Sequence, residues 1–115
     1  MKRGDTVEKA QMRKGILEGC ILQIIKREST YGYGISEILK AKGFDEITEG
    51  TIYPLLIRLE SQDILAAESR YSPLGPKRKY YHLTQKGEAE LKCFLFEWER
   101  LRTSVDYLIE GDKEE

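Results

Sequence analysis

The chain has 115 residues, 34% of them charged and 40% apolar, with a formal net charge of −1 at pH 7. That length suits one small domain with one core and falls short of what most enzymes use to wrap a cleft. No apolar run nears the roughly 20 residues of a membrane span, and no apolar stretch follows Lys2 and Arg3 as in a signal peptide, so a cytoplasmic protein is expected.

The near-neutral total hides a partition. Residues 1–14 hold Lys2, Arg3, Lys9, Arg13 and Lys14 against Asp5 and Glu8, a net charge of +3. Next, Ile16, Leu17, Cys20, Ile21, Ile24 and Ile25 recur in pairs every four residues. This spacing predicts a helix from about Met12 to Arg27 with one apolar stripe. Cys20 and the distant Cys93 both fall on apolar helical faces, where free buried thiols are expected rather than a disulfide. Neither has a Cys or His neighbour at metal spacing, so no metal and no cofactor is expected.

Ser29, Thr30 and the glycines of Tyr31-Gly32-Tyr33-Gly34 break the first helix and start a second. Ile35, Ile38 and Leu39 form its inner face, and Gly43 ends it as a left-handed cap. Thr48 is an N-cap for a third helix. There Ile52, Leu55, Leu56 and Leu59 share the core side, while Thr51, Pro54 and Arg58 lie on another, flanked by Gly50 and Tyr53. Pro54 lacks the amide that would bond back to Gly50, which predicts an irregular or tightened first turn.

Two short strands follow, a loosely alternating run from Ile64 to Tyr71 and an aromatic run from Tyr80 to Leu83. Ser72-Pro73-Leu74-Gly75-Pro76 reads as the loop between them, with Lys77, Arg78 and Lys79 as a basic tip. Residues 70–87 carry five cations and no acid. One of Tyr80 and Tyr81 must face inward and the other outward, and periodicity leaves open which. His82, the only histidine, has no nucleophile or metal partner to organise and reads as a strand residue.

Thr84 is placed to cap a final helix. Leu91, Phe94, Trp98, Leu101, Val105 and Leu108 are spaced 3, 4, 3, 4, 3, a heptad seam. Unbroken from Gln85 to Glu110, it would extend about 40 Å at 1.5 Å per residue. Such a rod overhangs a small domain, and its apolar side calls for a second copy of the chain. Residues 88–115 hold nine acids against four bases, an acidic tail.

A short helix followed at once by a cationic hairpin is the outline of a winged helix-turn-helix. The expected fold is therefore mainly α with a small β-wing: a DNA-binding domain over residues 1–83, then a dimerisation helix and acidic tail over 84–115. In such a fold the third helix enters the major groove, which makes Thr51, Tyr53 and Arg58 candidate contacts to bases or phosphates. Lys77, Arg78 and Lys79 suit phosphate or minor-groove contact, and whichever tyrosine faces outward, Tyr80 being the candidate, would touch the backbone. A plain solvated surface is the competing reading for each.

The stretches LEGCILQIIKRESTYGYGISEIL, EGTIYPLLIRLESQDIL and PKRKYYHLTQKGEAEL together resemble the PadR family of bacterial transcriptional regulators, from about Ile16 to Trp98. The resemblance implies a homodimer joined by a C-terminal helical arm, here of the short-tailed, single-helix type. It also implies repression of genes that is relieved by a small, often aromatic, effector. Tyr31-Gly32-Tyr33-Gly34 is similar to the family's motif at the second helix, where amides suit a phosphate and Tyr33 is a candidate DNA contact; packing of the helix junction is the other reading. Phe94 and Trp98 are candidate ligand contacts, since a tryptophan from each subunit could sandwich a flat ring. A seam residue filling the dimer core is the alternative for Trp98.

The function expected is a sequence-specific, DNA-binding transcriptional regulator with double-stranded DNA, a second copy and a small aromatic effector as partners. A winged-helix protein-interaction module that does not bind DNA is the runner-up. No convergent acid–base set is present to support an enzyme: Glu88, Glu90, Glu97 and Glu99 line an ordinary solvated helix face.

Overall fold

The computed structural model describes residues 9–111, so Lys2, Arg3, Asp5 and Glu8 of the basic start, and the last four residues of the acidic tail, lie outside the described residues. The elements are α1 Lys9–Arg27, α2 Gly32–Ala41, α3 Glu49–Ser61, β1 Leu65–Ser72, β2 Gly75–Leu83 and α4 Gln85–Glu110. Helices predominate, with one antiparallel hairpin as the wing.

The apolar stripe of α1 divides between two neighbours. Leu17, Ile21, Leu22 and Ile25 are buried in the core, whereas Ile16, Cys20 and Ile24 are half-buried along a groove beside α4. The same division runs through α2: Ile35 and Leu39 are buried while Ile38, expected inside, is exposed. From α3, Ile52, Leu56 and Leu59 enter the core, and Leu55 is half-buried at its edge. The apolar arcs are thus wider than one contact surface, and the surplus is left on the outside.

Both α2 and α3 end in the same hydrogen-bonded device. The Gly43 amide donates to the Lys40 carbonyl and the Phe44 amide to the Leu39 carbonyl, with Gly43 at φ 108°. After α3, the Asp63 amide donates to Glu60 and the Ile64 amide to Leu59, with Asp63 at φ 67°. These bonds satisfy carbonyls that a helix end would leave bare. Thr48 occupies the N-cap position of α3 without a side-chain bond. The Thr51 and Ile52 amides both donate to its carbonyl, at 3.0 and 3.1 Å, so α3 starts as a regular α-helix and accommodates Pro54 where an irregular or tightened first turn is expected.

The hairpin is longer than its sequence implies, and this relocates the basic run. Ser72 pairs with Gly75, so only Pro73 and Leu74 form the turn, and Lys77, Arg78 and Lys79 lie along β2 rather than at a tip. Between the pairs Arg70–Arg78 and Ser72–Gly75, β1 has Tyr71 where β2 has Pro76 and Lys77. That extra residue is a bulge, the position in a ladder where a proline without an amide is tolerated. Leu65, Ala67, Tyr81 and Leu83 face the core, Tyr81 at 3% exposure, so Tyr80 is the outward tyrosine. The Tyr81 amide donates to the Thr30 carbonyl, and the Ser29 hydroxyl donates to the Tyr81 carbonyl, both at 2.9 Å. These bonds clamp the wing to the junction of α1 and α2.

α4 begins at Thr84, whose hydroxyl accepts from the Gly87 amide at 3.0 Å and donates to the Asp63 carbonyl at 2.6 Å. Leu91 is buried, and the Phe94 ring lies on Gly19 of α1, where a Cβ would come within 2.3 Å of it. Beyond that contact the helix runs out from the domain. Leu101, Val105, Leu108 and Ile109 are exposed, Leu108 at 84%. The longest dimension of the molecule is 60 Å.

Candidate nucleic-acid interface

The middle of α3, the first turn of α2 and the wing enclose a cleft of about 390 Å³ lined by Tyr31, Gly32, Tyr33, Tyr53, Ile57, Lys77, Arg78, Lys79 and Tyr81. Five of the sequence candidates are brought together here: Tyr33, Tyr53, Lys77, Arg78 and Lys79. They come from three elements, so no local pattern in the sequence could have shown that they meet. Gly32 makes the junction possible. A Cβ there would stand 2.4 Å from the Tyr53 ring, so glycine lets that ring lie against the start of α2.

The cations on the wing are organised by aromatic rings. The Arg78 guanidinium lies 4.5 Å from the centroid of Tyr31 and that of Arg70 lies 4.4 Å from Tyr80. Tyr31 and Tyr80 are themselves in contact, with centroids 5.2 Å apart. Lys77 stands 4.8 Å over Tyr71. Cation–ring contacts hold a flexible charge in place while leaving its hydrogen-bond donors available. Arg70 and Arg78 are directly opposed across the two strands. Like charges in that position are unfavourable unless an anion offsets them, and Glu68 does so in part by accepting from Arg70 Nε at 2.9 Å.

Lys79 is different. Its ammonium donates to Glu60 of α3 at 2.9 Å, and this bond raises its pKa above the ordinary lysine value. Burial raises the pKa of Tyr81, so that phenol stays neutral. Arg58 is not part of the cleft. It is ion-paired with Glu18 of α1. Thr51 is exposed at the start of α3, outside the cleft lining. Tyr80 reaches the cleft only through Tyr31.

Three residues at this surface were not singled out as contacts from the sequence: Ile57, Tyr31, which entered only as part of its glycine motif, and Arg70, which entered only as one of the five cations of residues 70–87. Ile57 carried a usable signal, because it falls outside the arc of Ile52, Leu55, Leu56 and Leu59 and is 63% exposed. Arg70 shows in the sequence only as a charge, since its place opposite Arg78 depends on strand register.

A second concavity, of about 580 Å³, lies on the other side of α1. Ile16, Cys20 and Ile24 of α1, Ile38 and Leu39 of α2, Phe44, and Phe94, Leu95 and Trp98 of α4 form its walls, with Gln23, Arg27 and Lys42 also on its lining. Phe94 and Trp98 are therefore together, against the apolar side of α1. Both cysteines are free thiols, but only Cys20 is partly buried, and burial raises its pKa and keeps it protonated at neutral pH. Cys93, expected inside, is exposed because Leu91 and Phe94 make the contact of α4 with the core and α1. Among the described residues no cluster of His, Cys, Asp and Glu is arranged to hold a metal, and no helix is long and apolar enough to cross a membrane.

A helix-turn-helix with a cationic hairpin at its flank is the architecture of a winged-helix DNA-binding regulator. Residues 21–93 match the model of the transcriptional regulator PadR-like family, and the chain belongs to that family. The fold is similar to a PadR-like transcriptional regulator from Bacillus cereus, with TM-score 0.82 and 47% identity over 89% of this chain and 99% of that one. A Streptococcus transcriptional regulator is similar at TM-score 0.78 and 42% identity, covering 85% and 96% of the two chains. An uncharacterized protein of Lysinibacillus sphaericus is 33% identical over 100 residues, 85% of this chain and 92% of the relative. The chain is accordingly a transcriptional regulator with DNA as its partner, and not an enzyme.

Proposed function

We propose that the chain is a homodimeric repressor that reads a roughly palindromic site with two copies of the α3–wing surface. Residues 1–83 act as the DNA-binding unit and 84–115 as the joining arm. The observation that carries the reading is the meeting of Tyr33, Tyr53, Lys77, Arg78 and Lys79 in one cleft beside the exposed face of α3. Arg78, with Arg70 opposite it, meets the phosphate backbone from the wing; Tyr53, Ile57 and Thr51 stand toward base edges and sugars. The near-neutral total charge is the one feature that favours a module without DNA binding, and the cations Lys77, Arg78 and Lys79 gathered on one cleft weigh against that alternative.

The exposed seam from Trp98 to Ile109 supports a dimer arm, since apolar side chains at heptad spacing are stabilised by a facing helix. The groove lined by Phe94 and Trp98 fits a small aromatic effector held between α1 and α4. An effector there shifts the two arms, changes the separation of the recognition helices and releases DNA.

Binding to duplex DNA across a salt series tests the central claim. A dimer that neutralises about 6–10 phosphates loses roughly 10³–10⁵ in affinity between 50 and 200 mM salt. Lys77→Ala, Arg78→Ala and Lys79→Ala combined should weaken binding to all duplexes nearly uniformly. A flat salt response, or a triple variant that binds like the parent, removes the wing from the interface.

A further inference from the structure

The C-terminal half of α3 is tied from two sides. Arg58 pairs with Glu18 of α1, and Glu60, two residues on, accepts from Lys79 of β2 at 2.9 Å. Arg58 follows Tyr53 by five residues, a rotation of about 140° around the helix, so its side chain leaves α3 away from the cleft. Both members of the Arg58–Glu18 pair are part-exposed, at 49% and 35%, and such a pair adds little to overall stability. Its effect is directional. The rest of α3 is held by Ile52, Leu56 and Leu59, and apolar contact resists separation far more than rotation or sliding.

We propose that Arg58 is a positioning residue rather than a DNA contact. Its pairing with Glu18 fixes the angle of the recognition helix relative to α1, the helix that also borders the Trp98 groove. The inference rests on the DNA-binding reading above. Arginine suits the role because its planar fork fixes direction where a lysine would swivel. Glu18 and the groove residues Ile16 and Cys20 lie within one turn of each other on α1. A shift of α1 on that side is thereby carried to α3 on the other.

The test uses the full-length protein and two DNA probes, a duplex enriched from a random pool by this protein and a mixed-sequence duplex. Glu18→Gln and Arg58→Gln should each weaken binding to the enriched duplex by roughly tenfold, and the mixed duplex by less than about twofold. Neither should change the salt slope, and melting temperatures should stay within a few degrees of the parent. The charge-swapped protein carrying Glu18→Arg with Arg58→Glu should recover most of the lost preference, because total charge and the strut are both retained. A slope lower by about one in Arg58→Gln, with Glu18→Gln unchanged and no recovery in the swap, makes Arg58 a phosphate contact and overturns the proposal. Variants that all bind like the parent overturn it too. A parent protein that binds neither duplex removes the DNA-binding reading itself, and this inference with it.

Discussion

An alanine Cβ at position 32 would collide with the far edge of the Tyr53 ring, to which its three nearest atoms all belong. The ring would swing out of the cleft while the fold survives, since alanine is also the better helix former. Gly32→Ala should therefore leave melting within a few degrees of the parent yet weaken DNA binding by roughly tenfold, read by anisotropy with a labelled duplex. Arg78 is a second case. Its removal ends a like-charge pairing with Arg70 that Glu68 already offsets in part, and gives up the contact with Tyr31. Arg78→Gln should therefore change stability by less than about 0.5 kcal/mol at low salt in urea unfolding, while DNA affinity and the salt slope both fall. Lys79 and Tyr81 set an alkaline limit. Both pKa values are raised in the folded chain, Lys79 by its bond to Glu60 and Tyr81 by burial. Above about pH 10 the unfolded chain gives up these protons first, so it binds fewer protons and stability falls as pH rises. Thermal melts should show this loss from about pH 10 upward, with no contribution from these two groups between about pH 6 and 9.

At the scale of elements, the two helix ends built alike differ in the residue that takes the left-handed turn. Gly43 does so without strain, whereas Asp63 carries a Cβ at φ 67°. Asp63→Gly should stabilise by about 0.5–1 kcal/mol and Gly43→Ala should destabilise by about 1–2 kcal/mol, both measured from urea midpoints. Sequence alone exposed the first of these caps, because glycine after a periodic segment is a legible stop. It was silent on the second, since aspartate there has several other uses. The hairpin shows the same limit. Pro73 and Pro76 argued for a five-residue break, but a bulge lets Pro76 stand within β2, and the cations follow it into the strand. Proline excludes a ladder amide and does not exclude a strand.

For the molecule as a whole, the distribution of apolar surface decides the outcome. α4 leaves the core after Phe94, and its exposed Leu101, Val105 and Leu108 lie on the side of the seam. Val105→Glu with Leu108→Glu places charges where a partner helix would pack, without touching the buried core. Sedimentation should then show a folded monomer, and DNA affinity should drop by about 10²-fold or more as the two half-sites cease to be bound together. A double variant that stays dimeric would move the joining surface elsewhere. The groove reaches along α4 as far as Trp98, where the exposed part of this seam begins.

Periodicity, capping residues and breakers operate over a few neighbouring positions, so the sequence by itself determined the order of the helices, the cap at Thr84, the uninterrupted length of α4 and the wing's existence. The tertiary structure alone decided which side of each broad apolar arc enters the core, that Tyr81 turns inward, and that Arg58 turns to Glu18. It also set Arg70 opposite Arg78. The reason is physical: these outcomes depend on strand register and on helices packing across more than 30 residues of chain, as in the Lys26–Glu88 and Arg13–Glu46 pairs. Contacts of that span leave no periodic trace in the local order of residues.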